Sequence, residues 1–386
     1  MTAPTRALLT ILTLALIATA CASNGDAGDP TAAQENAEQP AAAESDEAGD
    51  ADQAAERDDS DATAAPAGSL DGAGATFPTP LFQDWIFEYE AEVNPDASIN
   101  YQSIGSGGGI EQFLSQTVDF GSSERYLDDE TLAEAEAARG CPAIQFPVVF
   151  GAVTIAFHNQ ELDDLILDAE TIAAIFQREI TTYDDPAIAE LNPDRDLPDT
   201  DIIPVHRSDG SGTTSVFTVY LDHTADNWEL GEGTEVQWPA GTLGGQGNEG
   251  VTAQIQQNPG GLGYVNQAYA LENQLPTARV VNDDGNAIKA ELENTTEAAE
   301  EAEIPGSFQF DILDIGGEGF PIAGTNWIFA WECGYDDDTA ALLRDFWSWA
   351  VSEEGDSLAL DLGYAPLGSA LKDDVLAAVE RINIQQ

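Results

Sequence analysis

His206-Arg207-Ser208-Asp209-Gly210-Ser211-Gly212-Thr213-Thr214 packs an arginine, a carboxylate, several hydroxyls and two glycines into one short segment. Pro204-Val205 before it reads as the end of a strand, and Val216 to Leu221 after it reads as a helix. A strand, a Gly/Ser/Thr turn and a helix start outline an anion site. The first N–H groups of a helix have no intrahelical partner, and the helix dipole favours negative charge there. The glycines let backbone come close to a ligand, the hydroxyls donate, and Arg207 offers a planar cationic fork. An ordinary capped helix beside a surface arginine would have the same outline, so the rest of the chain has to choose.

Two more junctions of this kind lie upstream. In Gly72-Ala73-Gly74-Ala75-Thr76-Phe77-Pro78, small residues precede Thr76, and proline stands where a helix accepts it, in the first turn. Leu81, Phe82, Trp85, Ile86 and Tyr89 then recur at helical spacing. Ile99, Tyr101 and Ser103 alternate as a strand before Gly105-Ser106-Gly107-Gly108-Gly109, and Ile110, Phe113 and Leu114 mark a second helix with Ser106 near its start. Strands alternating with helices give an α/β class. In open α/β sheets ligands bind beyond the carboxyl ends of the strands, so three hydroxyl-bearing junctions predict a buried, hydrogen-bonded oxyanion. Long apolar runs at Phe146 to Phe157 and Pro321 to Ala330 read as strands crossing between two lobes that share a hinge.

Charge narrows the partners. The chain has 71 acidic against 12 basic residues, a formal net charge of −59, and only two lysines, Lys289 and Lys372. Such self-repulsion needs salt to screen it and predicts adaptation to a saline environment. It argues against nucleic acid, whose backbone demands a basic surface. One small anion differs, because a local site can outweigh a screened global field.

Residues 1 to 21 read as a secretory signal: Arg6 is the charged start, Leu8 to Ile17 the apolar run, and Ala18-Thr19-Ala20-Cys21 the small-residue close. The segment resembles a bacterial lipoprotein signal, in which Cys21 is lipidated and becomes the mature N-terminus. Ala18 departs from it, since leucine is usual there, and plain cleavage near Ala20 is the alternative. The apolar run is too short to span a bilayer. Residues 22 to 68 hold 13 acids, one base (Arg57) and no aromatic residue, so they read as an extended acidic tether.

Beyond the tether the sequence closely resembles the phosphate-binding protein of the bacterial phosphate-specific ABC transporter. The resemblance rests on the blocks beginning at Gly72, Tyr101 (Tyr-Gln-Ser-Ile-Gly-Ser-Gly-Gly-Gly), Val118 (Val-Asp-Phe-Gly-Ser-Ser) and Arg207 (Arg-Ser-Asp-Gly-Ser-Gly-Thr). Gly247-Asn-Glu-Gly, Gly263-Tyr-Val and Gly363-Tyr-Ala-Pro-Leu add to it. It implies a type II periplasmic-binding-protein fold, with one lobe at about 69 to 149 plus 320 to 386 and the other at 150 to 319. It implies a monomer, lipid-anchored outside the cytoplasmic membrane, that closes on inorganic phosphate and delivers it to an ABC permease. No cofactor is expected. The ligand residues it implies are Thr76, Phe77, Ser106, Arg207, Asp209, Ser211, Gly212 and Thr213, with Asp209 orienting Arg207. Glu124 stands where the family usually has aspartate. That carboxylate would accept the proton of monohydrogen phosphate, whereas sulfate has none to offer, and a buried unpaired acceptor is costly. Arg125 beside it reads mainly as an exposed salt-bridge partner.

Cys141 and Cys333 form an even pair in an exported chain, which reads as a disulfide, with two buried free thiols as the alternative. The rival functions are a sulfate or other oxyanion binder, a sensor without transport, and a secreted phosphatase-like enzyme. Neither Ser106 nor Ser211 sits in Gly-x-Ser-x-Gly, and His158, His206 and His223 have no metal spacing, so no enzyme is expected. His206 reads as a structural strand-end histidine whose imidazolium form a neighbouring Arg207 disfavours. The run Glu297 to Glu303 reads as a solvated face.

Overall fold

The computed structural model describes residues 65–159 and 161–384. The signal, Cys21 and nearly all of the tether lie outside the described residues.

The chain opens with β1 (Gly68–Gly74), α1 (Thr79–Glu88) and a short π-helical turn, then β2 (Ala97–Ser103), α2 (Ser106–Leu114), β3 (Phe120–Ser123) and α3 (Asp129–Arg139). The long β4 (Ala143–Phe157) follows, then β5 (Ile166–Leu167), α4 (Ala169–Phe176), α5 (Pro186–Leu191), β6 (Ile203–Arg207) and α6 (Gly212–Thr224). Next come β7 (Leu243–Gly245), α7 (Gly247–Gln257), β8 (Gly261–Asn266), α8 (Gln267–Glu272), β9 (Arg279–Val281), β10 (Ala287–Ile288) and α9 (Leu292–Glu301). β11 (Ala323–Trp331), α10 (Asp337–Ala350), α11 (Glu353–Asp361) and α12 (Ser369–Val379) close the chain.

The main sheet runs β2-β1-β3-β11-β4-β8-β6-β7, and β10-β9-β5 form a small second sheet. β1 pairs parallel with β2 and β3, and β6 pairs parallel with β7 and β8. β4 links these two groups. Residues 143 to 152 pair antiparallel with β11, and 153 to 157 pair antiparallel with β8. All but the first of its 15 residues are buried, as its largely apolar sequence predicts for a strand covered on both faces. The second crossing is an extended segment: Val153 N–H donates to Ile322 C=O at 2.8 Å, just before β11 begins.

Helix starts follow their capping residues. Asp128, Asp168, Ser211 and Asp336 each accept from the backbone N–H three residues on. Around β1 to β3 the core is aromatic, with Phe82, Trp85, Phe120 and Trp347 in mutual ring contact. The other group centres on Tyr264, stacked on Phe217 at 4.3 Å and touching Phe176. Each such buried ring contributes ~2–3 kcal/mol by removal from water.

Ser352 accepts from Gly355 N–H and so starts α11 directly after α10. The acidic run from Glu297 lies partly in α9, which keeps its charges in water while burying Thr295 and Ala298, in keeping with its reading as a solvated face. Cys141 and Cys333 form a disulfide with Cα atoms 6.2 Å apart, just outside the paired Ala143 and Trp331 of β4 and β11. Among the described residues no helix is long and apolar enough to cross a membrane.

Candidate functional site

The carboxyl ends of β1, β2, β3, β6 and β7 all feed loops that meet in one place. Gly107 N–H donates to Gly210 C=O at 3.0 Å, joining the loop after β2 to the loop after β6. Gly105 has φ +90°, and a Cβ there would lie 2.5 Å from Asp209 Oδ2, so a bare backbone is required. A Cβ on Gly212 would lie 2.6 Å from Ser106 Oγ and 2.7 Å from Glu124 Oε2, which measures how closely three loops converge.

Arg207, at the end of β6, is 3% exposed. Asp209 grips it with two bonds, Nε to Oδ1 at 2.9 Å and Nη2 to Oδ2 at 2.5 Å. Asp209 Oδ1 also accepts from Gly247 N–H at 3.1 Å. The remaining nitrogen, Nη1, faces Thr213 Oγ1 at 3.4 Å. Aspartate therefore fixes the plane of the guanidinium, the role expected of it. Ser211 caps α6 by accepting from Thr214 N–H, and Ser211, Gly212 and Thr213 are all buried at the positive end of that helix.

The loop at Ala75-Thr76-Phe77 is held by three tyrosines from distant segments. Tyr101 donates to Ala75 C=O at 2.7 Å, Tyr269 to Thr76 C=O at 2.6 Å and Tyr364 to Phe77 C=O at 2.6 Å. In a trans peptide the N–H points opposite to the preceding C=O. Tying back the carbonyls of Ala75 and Thr76 therefore turns the N–H groups of Thr76 and Phe77 the other way. Burial holds all three phenols well above their usual range, so they remain donors.

Ser106 Oγ is buried without a hydrogen-bond partner among the described residues. Such an orphan costs free energy unless something else satisfies it. Glu124 is 3% exposed. Thr213 Oγ1 donates to its Oε2 at 3.1 Å, and Asn326 Nδ2 reaches its Oε1 at 3.5 Å. Burial raises its carboxyl from 4.5 to about 7, against the pull of Arg207 and the Thr213 and Asn326 donors. All nine residues selected from the sequence thus belong to loops that gather at one end of the sheet.

Arg125 lies outside this cluster, 3.9 Å from Asp311 and over the Tyr126 ring. His206 stacks on Trp238, and burial, rather than the Arg207 charge, lowers its imidazolium stability. Among the described residues no group of three or more His, Cys, Asp or Glu side chains could hold a metal ion. A separate groove of about 640 Å³ runs between α8 and the end of α11, but its single lysine, Lys289, sits among Asp163, Glu291, Glu293 and Asp361. That lining does not suit an anion.

A PBP superfamily domain matches residues 59–354. The phosphate-binding protein PstS of Xylella fastidiosa is 40% identical over 305 residues, covering 77% of this chain and 81% of that protein. The chain belongs to the PstS phosphate-binding protein family. PstS of Pasteurella multocida is 36% identical over 78% of this chain and 87% of its own length. Two solved structures agree in fold. One is a high-affinity periplasmic phosphate-binding protein bound with phosphate (TM-score 0.67, 22% identity, 80% of this chain and 93% of that one). The other is the phosphate-binding protein from Stenotrophomonas maltophilia (TM-score 0.64, 19% identity, 81% and 94%). The fold is therefore the two-lobed α/β fold of periplasmic binding proteins.

Within that PstS frame, four residues at the site escaped the sequence reading: Tyr269, Tyr364, Asn326 and Asn248. Asn248 is fully buried and reaches both Thr76 and Thr213. Gly247-Asn-Glu-Gly was one of the family blocks, so its position was visible while its contacts were not. Tyr269 and Asn326 lie in segments with no local signal, and only tertiary packing brings them in.

Proposed function

We propose that this protein binds inorganic phosphate between its two lobes, outside the cytoplasm, and delivers it to an ABC importer. The observation that carries this reading is a buried cluster of donors around the Glu124 carboxylate, with the second carboxylate, Asp209, taken up by Arg207 and Gly247. Arg207, the α6 start at Gly212 and Thr213, the turned-out N–H groups of Thr76 and Phe77, and the orphaned Ser106 hydroxyl supply donors. Glu124 is positioned to accept. An oxyanion that brings one proton of its own fits such a set, and monohydrogen phosphate is one. The named function of the PstS relatives supports the same ligand.

In this reading residues 69–149 and 320–386 form one lobe and 150–319 the other, hinged at β4 and the segment before β11. Thr76, Phe77, Ser106 and Glu124 come from the first lobe. Arg207, Asp209, Ser211, Gly212 and Thr213 come from the second. The protein acts as a monomer tethered through a lipidated Cys21, with both lobes presented to the permease on closure. It binds and releases its ligand without catalysis, a reading supported by the naming of its PstS relatives as binding proteins. Calorimetric titration with phosphate in concentrated sodium chloride, repeated with excess sodium sulfate, tests the reading. One phosphate per chain, undisturbed by sulfate at mildly alkaline pH, is expected. Failure to bind phosphate would overturn it.

A further inference from the structure

Asn248, second residue of α7, is the polar side chain that spans the two loops carrying Thr76 and Thr213. Its own orientation is fixed. Oδ1 accepts from Asn266 N–H at 2.9 Å, and a backbone N–H can only donate, so Nδ2 must face the threonines. Nδ2 then donates to Thr76 Oγ1 at 2.8 Å and to Thr213 Oγ1 at 3.1 Å. The backbone N–H of Asn248 donates to the same Thr76 oxygen at 3.1 Å.

A hydroxyl oxygen has two acceptor sites and a single proton to give. Both acceptor sites of Thr76 Oγ1 are filled by Asn248, so its proton must point elsewhere as a donor. Thr213 Oγ1 follows the same rule: it accepts from Asn248 and from Arg207 Nη1, and its proton goes to Glu124. Without Asn248 the Thr76 hydroxyl would be free to rotate and offer a lone pair to an incoming anion, whereas Thr213 would still be held by Arg207 and Glu124.

We propose that Asn248 is a positioning residue that makes Thr76 an obligate hydrogen-bond donor toward the ligand, and so commits the site to an acceptor-rich anion, while its second bond holds Thr213 with its proton on Glu124. This rests on the phosphate reading given above. Asn248 itself has no free donor left for the ligand, so it acts through the two threonines.

The test is a double-mutant cycle on the purified protein, freed of phosphate and titrated with inorganic phosphate. Asn248→Ala should weaken phosphate binding by about tenfold, the size expected for lost donor alignment at the buried Thr76 hydroxyl. In a Thr76→Val background, which has no hydroxyl to align, the same change should cost at least threefold less. Equal losses in both backgrounds would reduce Asn248 to a packing role and overturn the inference. Asn248→Asp keeps the shape but accepts where asparagine donates, drawing both hydroxyl protons toward itself. It should lose at least as much affinity as the alanine variant, and binding within twofold of the native protein would also overturn the inference. Absence of phosphate binding by the native protein would instead remove the functional reading beneath it.

Discussion

Lowering the pH should strengthen sulfate binding at the Glu124 site. Glu124 decides this, because its carboxylate is buried among donors and its pKa is raised to about 7 by loss of water. Ionised, it can only accept, and sulfate has no proton to give, so two acceptors would face each other. Protonated, it donates to sulfate. If only the protonated form binds sulfate, affinity scales with its fraction, nearly complete at about pH 5.5 and about one part in eleven at pH 8. Sulfate should therefore bind about tenfold more weakly at the higher pH, while phosphate, which carries a proton at both, still binds. Titration of sodium sulfate into the phosphate-free protein in concentrated sodium chloride reads this directly. Glu124→Gln should remove the pH dependence. A native sulfate affinity that is flat across the interval would refute Glu124 as the titrating acceptor.

The same carboxyl predicts a stability effect of defined sign. Its folded pKa lies above its ordinary value, so its contribution is full below about pH 4.5 and is lost as the pH rises through about 7, a loss of ~3 kcal/mol on the usual conversion. Urea unfolding without phosphate should thus show Glu124→Gln gaining on the native protein between pH 5 and pH 8 by a few kcal/mol (about the full loss); parallel curves would contradict it. Arg207→Ala removes a charged donor and frees Asp209, and should weaken phosphate at least about 100-fold with an unchanged far-ultraviolet spectrum; retained affinity would exclude Arg207 from the ligand. Replacing Cys141 and Cys333 by serine opens a bridge across a sequence separation of 192 residues and should cost roughly 5 kcal/mol in the chain-entropy picture; an unmoved urea midpoint would refute it. With a net charge of −59, raising sodium chloride from about 0.1 M to about 1 M, which shortens the screening length from ~10 Å to ~3 Å, should raise the melting temperature. A salt-independent melt would remove self-repulsion as a factor in stability.

Reading from local pattern worked where chemistry is local. The helix at Leu81 to Trp85, the caps at Ser211, and the strand at Phe146 to Phe157 each announce themselves within a few residues, by spacing, hydroxyl placement or apolar continuity. It failed at α3 and α9, whose many acidic residues blur the apolar stripe that marks a helix.

The sequence by itself determined which groups could meet an oxyanion, because strand, glycine turn and helix start are all encoded within single segments. Tertiary structure alone decided how those groups are aimed. Tyr101, Tyr269 and Tyr364 hold one loop from three places up to 287 residues distant along the chain, and Asn248 ties Thr76 to Thr213. Burial then moved the Glu124 carboxyl to about 7. A hydrogen bond's direction and a group's distance from water are properties of the assembled fold, and no local pattern carries them.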